Sequence, residues 1–294
     1  MIRLIASDMD GTLLNNHHDI DKETVEAIKK AEEKGIIFAI STGREYGNVK
    51  YVLDKHNIRC QCIISSGAEY RDEDGNILES INLTKDTTRK VLEIFEKSKM
   101  SCRIFTNKGV FANSTREKAL QEIIFRTITF NKSITYEEAE KIAVNEPFFK
   151  SLKYIDDIDA FLNDEIEVRK FVAFHNDIKL ITKVKEEINA LGGLAVSSSF
   201  NDNIEVTDIN AQKGIILEKT AKKMGIDKSE VMVLGDSFND YSMFEVFEES
   251  VAMKNAIPEI KEVAKYITDS NDNLGVAKAI MCVVNGDLHS ILKK

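Results

Sequence analysis

Short apolar runs alternate with amphipathic stretches near both ends of the chain. The clearest runs are Ile2–Ser7, Ile36–Ile40 and Val231–Leu234, and each has the length of a buried strand rather than of a helix. Between the first two runs, apolar residues recur at helical spacing until Gly35, which ends the helix. This strand–helix–strand order predicts an α/β fold with a doubly wound, parallel, Rossmann-like sheet.

The middle of the chain follows a different order from about Leu83 onward. The predicted helices there are Thr84–Lys99, a helical region from Thr115 to Asn145, Asp156–Leu162 and Ile178–Leu191. The predicted strands are Cys102–Thr106, Val110–Asn113, Phe149–Ile155, Lys170–His175, Leu194–Ser198 and Asn203–Asp208. This order is typical of a compact α+β module.

Spacing between the core strands indicates that this module is a separate domain. Ile40 ends one core strand and Val231 begins another, and a crossover with short loops leaves an excess of roughly 120 residues between them. We therefore divide the chain into a core domain, residues 1–82 and 206–294, and an inserted α+β cap domain, residues 83–205. A domain inserted at this point could close over a substrate and exclude water.

Charge and composition exclude several classes of protein. Among the 294 residues, 40 are lysine or arginine and 49 are aspartate or glutamate, so the formal net charge is −9 at pH 7. Nucleic acid is not an expected partner, because binding to a phosphate backbone needs a basic face. No apolar run approaches the roughly 20 residues that span a bilayer, so we expect no membrane association.

The N-terminus and the cysteines indicate a reduced cytoplasmic protein. The chain enters a strand directly, without the charged and apolar regions of a signal peptide. The four cysteines are scattered and do not form a zinc-binding pattern; they are Cys60, Cys62, Cys102 and Cys282. We expect a monomer or a homodimer.

Two carboxylates follow the first predicted strand. Asp8 and Asp10 lie at its carboxyl end, and Gly11 allows the backbone to turn away. Ligands of open α/β sheets bind at this edge. Two carboxylates placed there repel each other unless a cation binds between them, and Mg²⁺ is the simplest cation with oxygen ligands.

The second predicted strand also ends in polar residues. Thr42 offers a hydroxyl group, and Gly43 offers a backbone N–H that a phosphate oxygen can approach. Arg44 has two interpretations, which the sequence leaves open: it contacts the substrate, or it anchors the following helix through an ion pair.

The last third of the chain adds a lysine and further carboxylates. Lys213 lies two residues before a predicted helix, Ile215–Met224. Asp236 follows the strand Val231–Leu234 and Gly235, so it is placed like Asp8 and is expected to be the second metal carboxylate. Asp240 lies one helical turn further on, where it can orient a metal-bound water. Asn239 can donate its amide N–H to phosphate.

These segments together resemble a known family. Asp8-Met9-Asp10-Gly11-Thr12 resembles the first motif of the haloacid dehalogenase superfamily, in its phosphatase branch. Thr42-Gly43, Lys213 and the stretch from Gly235 to Asp240 resemble its second, third and fourth motifs, in the family's order. A cap between the second and third motifs marks the Cof-type subgroup.

The resemblance implies a role for each matching residue. Asp8 is the expected nucleophile, which becomes an aspartyl-phosphate, and Asp10 is the expected general acid/base. The expected phosphate-binding residues are Met9, Thr42, Gly43, Lys213 and Asn239. The expected ligands of Mg²⁺ are Asp8, Asp236 and Asp10, the last through its main-chain carbonyl.

We therefore expect Mg²⁺-dependent hydrolysis of a small phosphorylated metabolite, with sugar phosphates as the first candidates. A phosphomutase, in which the aspartyl-phosphate returns its phosphoryl group to a sugar, is one alternative. A phospho-ligand sensor without turnover is the other, although the sequence keeps Asp8, Asp10, Lys213 and Asp236, whose loss would mark such a sensor.

Overall fold

The computed structural model describes residues 1–131, 133–163, 165–199 and 202–293. The strands, in chain order, are β1 (Leu4–Ser7), β2 (Ile37–Ser41), β3 (Gln61–Ile64), β4 (Glu69–Arg71), β5 (Ile77–Ser80), β6 (Cys102–Thr106), β7 (Gly109–Ala112), β8 (Lys153–Tyr154), β9 (Val168–Phe174), β10 (Leu194–Ser197), β11 (Asn203–Asp208), β12 (Val231–Gly235), β13 (Glu249–Ala252) and β14 (Tyr266–Ile267). The helices are α1 (Lys22–Glu33), α2 (Tyr46–His56), α3 (Lys85–Lys97), α4 (Arg116–Phe130), α5 (Tyr136–Asn145), α6 (Pro147–Ser151), α7 (Ile158–Asn163), α8 (Ile178–Asn189), α9 (Lys213–Lys223), α10 (Tyr241–Val246), α11 (Pro258–Val263) and α12 (Gly275–Asn285). Within these ranges, no helix is both long and apolar enough to cross a lipid bilayer.

A large sheet runs in the order β14-β13-β12-β1-β2-β3-β4-β5. The strands from β14 to β3 are parallel, and β4 and β5 continue the sheet as antiparallel strands. Ser7, at the end of β1, pairs with Leu234 of β12 on one side and with Ile40 of β2 on the other. The strand before Asp8 therefore lies between the strand before Thr42 and the strand before Asp236.

The central strand is buried on both faces of this sheet. Leu4, Ile5, Ala6 and Ser7 are all fully buried, although successive side chains point to opposite faces. Helices must therefore cover both faces, which is the arrangement of a doubly wound α/β fold and confirms the predicted fold class. Burial of each aliphatic side chain contributes about 1.5–3 kcal/mol to folding, so the sheet gives its carboxyl edge a rigid support.

The chain divides into two compact units. The first comprises Met1–Ile81, Ser197–Phe200 and Thr207–Lys294, and contains the large sheet. The second comprises Asn82–Val196 and Asn201–Val206. The sequence predicts boundaries at residues 83 and 205; in the structure, Ser197–Phe200 groups with the first unit, whereas Asn201–Val206 groups with the second. The interpretation of the second unit as a cap remains a prediction.

The second unit contains its own mixed sheet, in the order β10-β11-β9-β6-β7-β8. One face packs on α3 and α8 through a buried cluster that includes Phe95, Phe171, Ile188 and Ile204. The expected helical region from Thr115 to Asn145 is two helices, α4 and α5, and the side chain and backbone of Thr135 cap the second in a reciprocal pair with Glu138.

One predicted strand in this unit is wrong over part of its length. Residues 147–151 of the structure are helix α6, and only Lys153–Tyr154 of the predicted strand Phe149–Ile155 are strand. Pro147 occupies the first helical turn, where its missing N–H costs nothing. Phe149 is buried against Ala112 and Ala119, so its apolar character reflects helix packing rather than a strand.

Candidate active site

Asp8 lies at the carboxyl edge of the large sheet. Its backbone N–H donates to the carbonyl of Leu234 at 3.0 Å, which continues the pairing of β1 with β12. The residue is only 3% exposed. The next residue, Met9, is buried, and its carbonyl accepts the N–H of Leu14 at 2.8 Å. The chain thus turns back directly after β1, with Asp8 fixed beside the end of β12.

Asp236 follows β12 and packs against this turn. The Oγ1 atom of Thr12 donates a hydrogen bond to Oδ1 of Asp236 at 2.8 Å. Gly11 has a φ of 76°, and a Cβ at this position would lie 2.5 Å from Oδ2 of Asp236. Both the left-handed backbone and the neighbouring carboxylate therefore require glycine. Thr12 had no predicted role, and the contact with Asp236 gives it one.

Lys213 brings a positive charge to this edge of the sheet. It begins α9 and is fully buried, and its Nζ atom lies 2.6 Å from Oδ1 of Asp8 and 2.6 Å from Oδ1 of Asp240. The chain just before it packs closely on Gly67, where a Cβ would lie 2.5 Å from the carbonyl carbon of Gln212. The glycine therefore allows the close approach that places Lys213, a role that the sequence did not reveal.

Asp240 is also fully buried, and both of its carboxylate oxygens accept hydrogen bonds. Oδ1 accepts the ammonium group of Lys213, and Oδ2 accepts the backbone N–H groups of Asp236 at 3.0 Å and Ser237 at 3.1 Å. A carboxylate bonded in this way fixes both the loop that carries Asp236 and the lysine beside Asp8. The predicted contact of Asp240 with a metal-bound water remains a prediction.

Burial and neighbouring charges shift the ionisation of these groups. Burial, together with the charge of Asp240, raises the pKa of Asp8 well above its ordinary value, although the charge of Lys213 opposes the shift. Burial and Asp240 also raise the pKa of Asp236 to about 7. Burial by itself lowers the pKa of Lys213, but the two carboxylates outweigh this effect and raise the pKa, so the lysine stays charged.

The carboxylates form a group that fits a divalent cation. Asp8, Asp236 and Asp240 each place an oxygen within 4.8 Å of the others. When all three carboxylates are ionised, the positive charge of Lys213 balances one of their negative charges, and two negative charges remain. One oxygen of Asp8 and one of Asp236 accept no hydrogen bond from the described residues, whereas both oxygens of Asp240 do. Free carboxylate oxygens are the ligands that Mg²⁺ prefers, so Asp8 and Asp236 suit that role.

Thr42 and Gly43 lie directly after β2, the strand beside β1. The Thr42 side chain is buried, and its Oγ1 atom accepts the backbone N–H of Arg44 at 3.2 Å. Its backbone N–H donates to the carbonyl of Ile63 on the adjacent β3. The structure therefore places both residues at the same edge as Asp8; their contact with phosphate remains a prediction.

Arg44 forms an ion pair with Asp10. Its Nε atom lies 2.7 Å from Oδ2 of Asp10, and its Nη2 atom lies 2.6 Å from Oδ1. The Asp10 carboxylate is therefore directed to the arginine and is not part of the carboxylate group around Asp8. Burial lowers the pKa of Arg44, but the hydrogen bonds and charge of Asp10 raise it, so the guanidinium stays charged. The structure thus shows an ion pair of Arg44 with Asp10, and contact of Arg44 with the substrate remains a prediction.

Asn239 lies on the turn between Asp236 and Asp240. Its Nδ2 atom donates to Oγ of Ser199 at 2.9 Å, and its Oδ1 atom accepts from Oγ of Ser237 at 2.9 Å. The amide is thus oriented by two serines, and its predicted contact with phosphate remains a prediction.

Asn255 supports the turn after β1 from the C-terminal part of the chain. Its Nδ2 atom donates to the carbonyl of Gly11 at 2.7 Å, and its Oδ1 atom accepts the N–H of Asn271 at 3.0 Å. Asn271 in turn donates from Nδ2 to the carbonyl of Leu14 at 3.0 Å. None of these three bonds was predicted, because no periodicity or spacing links these residues.

Comparison with known proteins identifies the chain. Its fold is that of a doubly wound α/β enzyme, and the family model for haloacid dehalogenase-like hydrolases matches residues 5–280. The chain belongs to this family of hydrolases. The resemblance stated from the motifs is therefore confirmed, and so is the predicted enzyme class, a phosphoric monoester hydrolase.

The similar proteins include two from Bacillus subtilis that are named 5-amino-6-(5-phospho-D-ribitylamino)uracil phosphatases. YwtE is 30% identical over 97% of this chain and 99% of its own length. YcsE is 33% identical over 95% of this chain and 94% of its own length. A solved haloacid dehalogenase-like hydrolase from B. subtilis, at 26% identity, covers 95% of this chain and 99% of its own, with a TM-score of 0.84.

Proposed function

We propose that this chain hydrolyses small phosphate monoesters through an aspartyl-phosphate on Asp8, with Mg²⁺ as cofactor. The observation that carries the proposal is the environment of Asp8. This carboxylate is buried at the sheet edge, contacts the ammonium group of Lys213 through one oxygen, and lies beside Asp236. A nucleophile of this kind needs such a fixed position and a nearby positive charge to approach an anionic phosphoryl group.

Asp8 and Asp236 would hold Mg²⁺, together with the main-chain carbonyl of Asp10. When bound, Mg²⁺ supplies positive charge that offsets the repulsion between a carboxylate nucleophile and an anionic substrate. The raised pKa of Asp236 supports this assignment, because burial without a cation opposes ionisation of the carboxyl group.

In the first step, a carboxylate oxygen of Asp8 attacks phosphorus and the bond from phosphorus to the ester oxygen breaks. The leaving alkoxide takes the proton of the Asp10 carboxyl group. Meanwhile, Lys213, Asn239, the hydroxyl group of Thr42 and the backbone at Met9 and Gly43 would bind the phosphoryl oxygens.

In the second step, water attacks the phosphorus of the aspartyl-phosphate and the bond to the Asp8 oxygen breaks. The attacking water gives one proton to Asp10, which regains the protonated form that begins the next cycle. Inorganic phosphate then dissociates, and the Asp8 carboxylate is free for the next cycle.

We propose phosphorylated sugars and sugar alcohols as the first substrates to test. The names of the relatives YwtE and YcsE describe a substrate with a phosphorylated ribityl chain. Small anionic esters also suit a site in which Lys213 and a bound Mg²⁺ would together supply positive charge.

Phosphate release from a panel of monoesters tests this proposal. The panel contains sugar phosphates, sugar-alcohol phosphates, pyridoxal phosphate, flavin mononucleotide, nucleotides and an aryl phosphate, each with Mg²⁺ and with a chelator. We expect Mg²⁺-dependent turnover that Asp8→Asn abolishes and that Asp54→Asn, at an exposed carboxylate, retains.

The same experiment separates the alternatives. A folded, Mg²⁺-binding protein that releases no phosphate from any ester contradicts the proposal. Turnover only with a sugar bisphosphate favours the phosphomutase, and tight binding without turnover favours the sensor. If the Asp8→Asn variant still releases phosphate, the nucleophile is a different residue.

A further inference from the structure

The ion pair between Arg44 and Asp10 engages both oxygens of the carboxylate, each through one lone pair, so the second lone pair of either oxygen can still bind a proton. The two contacts, from Nε and from Nη2, are 2.7 Å and 2.6 Å long, so the planar guanidinium binds Asp10 in a bidentate fork. Such a fork fixes the rotation of the carboxylate as well as its position. Among the described residues, His18 also lies near this carboxylate, with its Nδ1 atom 4.0 Å from Oδ1 of Asp10.

Arg44 is itself anchored on the elements that surround the site. Its backbone N–H donates to Oγ1 of Thr42, and its carbonyl accepts the N–H of Ser65 at 2.8 Å. The Arg44 side chain is 23% exposed, whereas the Asp10 side chain is 46% exposed. The arginine is therefore the more buried partner, and its fork orients the more exposed aspartate.

We propose that Arg44 is a positioning residue, which holds the Asp10 carboxyl group in the orientation needed for proton transfer. This inference rests on the proposed function, in which Asp10 exchanges a proton with the leaving group and with water. An exposed carboxylate without the fork samples several rotamers, and proton transfer needs the donor within hydrogen-bond distance of the acceptor. Arg44 thus acts on the reaction through Asp10 rather than through contact with the substrate.

A positioning role and a substrate-binding role predict different kinetics. If Arg44 acts through Asp10, Arg44→Ala lowers kcat by about 10²-fold or more, which is the size of a general acid/base contribution, and leaves KM nearly unchanged. If Arg44 binds the substrate, the main effect is a higher KM.

The double variant tests whether the two residues act as one unit. We expect that Arg44→Ala causes little further loss of kcat in the presence of Asp10→Asn, because the group that it positions has already been removed. Independent roles would instead multiply the two losses, and that result would overturn the proposal.

The dependence of the rate on the leaving group distinguishes a positioning role of Arg44 from a merely structural one, because a structural defect would slow all esters alike. A poor leaving group, such as the alkoxide of a sugar-alcohol phosphate, needs proton transfer, whereas the phenolate of p-nitrophenyl phosphate leaves without it. In single-turnover measurements of alcohol release, we expect Arg44→Ala to slow the first step, phosphorylation of Asp8, at least about tenfold more for the alkyl ester than for the aryl ester. Equal losses on the two esters in this first step overturn the proposal.

A chemical rescue and a control variant distinguish loss of the fork from misfolding. Added methylguanidine should restore part of the kcat of Arg44→Ala, since it can bind Asp10 in the same fork. Arg59→Ala removes an arginine from an exposed pair with Asp74 and should retain wild-type kcat. If the wild type does not hydrolyse any ester, the proposed function fails; if it does, and Arg44→Ala keeps its kcat, only the role of Arg44 is overturned.

Discussion

The ammonium group of Lys213 lies 2.6 Å from a carboxylate oxygen of Asp8, although 205 residues separate the two in the chain. The lysine is fully buried and has a second carboxylate, Asp240, at the same distance. Charges that are removed from water in this way are stable only while they remain paired. The pair therefore couples the position of the proposed nucleophile to the first turn of α9 and to the turn that carries Asp236.

Replacement of this lysine should lower both activity and stability. We expect Lys213→Met to reduce kcat by about 10²–10³-fold, because a donor that stabilises the developing phosphoryl charge is lost. The free energy of unfolding at neutral pH should fall by about 3–5 kcal/mol, since Asp8 and Asp240 remain buried without their partner. Steady-state kinetics and denaturant titration measure the two effects.

The matched control for this variant lies on the same helix. Lys219→Met removes a lysine that is 45% exposed and pairs with Glu79, so both kcat and stability should stay close to wild type. Wild-type kcat in Lys213→Met would show that the contact with Asp8 has no part in the reaction.

Gly11 and Gly35 allow a controlled test of the turn after β1. Both have a φ of 76°, but only at Gly11 would a Cβ collide with Asp236. Gly35→Ala should cost only the strain of the left-handed backbone, roughly 1–2 kcal/mol of unfolding free energy. Gly11→Ala should cause the same strain and, in addition, lower the affinity for Mg²⁺ by about 10–100-fold, because the new Cβ displaces the Asp236 carboxylate that we expect to hold the metal.

Isothermal titration with Mg²⁺ and denaturant titration measure these two quantities for both variants. If Gly11→Ala binds Mg²⁺ as tightly as Gly35→Ala does, Asp236 is not a metal ligand at this position.

The raised pKa of Asp236 predicts an unusual pH dependence for the metal-free protein. Its pKa is about 7 in the folded chain and near 3.8 in an ordinary carboxyl group, so the folded state binds the proton more tightly between these values. The contribution of Asp236 to stability is therefore present at low pH, decreases as the pH rises towards about 7, and does not change further above it. Mg²⁺ competes with this proton, so its stabilising effect should grow from about pH 5 to about pH 8.

Thermal unfolding with a chelator and with Mg²⁺ over this pH range measures both trends. Asp236→Asn should remove most of the difference that Mg²⁺ makes, whereas Asp159→Asn, at a side chain that is 73% exposed, should leave it unchanged. A Mg²⁺ effect that is constant with pH contradicts the assignment of Asp236 as a ligand.

The sequence was sufficient to predict which polar residues meet at the sheet edge. Asp8, Thr42 and Asp236 each follow an apolar run of strand length, and the helical stretch between the first two runs indicates a parallel crossover. Carboxyl ends of parallel strands lie at one edge, so the meeting of these residues follows from strand order alone.

Side-chain pairing at the site could not be predicted in the same way. The fork between Arg44 and Asp10 depends on the conformation of two loops, and the bond from Asn255 to Gly11 spans 244 residues without any repeated pattern. The close approaches at Gly67 and Gly11 depend on tertiary packing, although the sequence predicts the turn at Gly11. The wrong strand at Phe149 has a similar origin, since a short apolar run fits a buried helix as well as a strand.

The most direct test of the account is to trap the phosphorylated enzyme. Asp10→Asn should slow hydrolysis of the aspartyl-phosphate, because water then lacks its general base, whereas an aryl phosphate can still phosphorylate Asp8 without an acid. Acid quench and peptide mass spectrometry should find one phosphoryl group on Asp8, and none in the double variant with Asp8→Asn. Turnover of the aryl ester without any phosphorylated peptide, or with the phosphoryl group on another residue, would contradict the central claim.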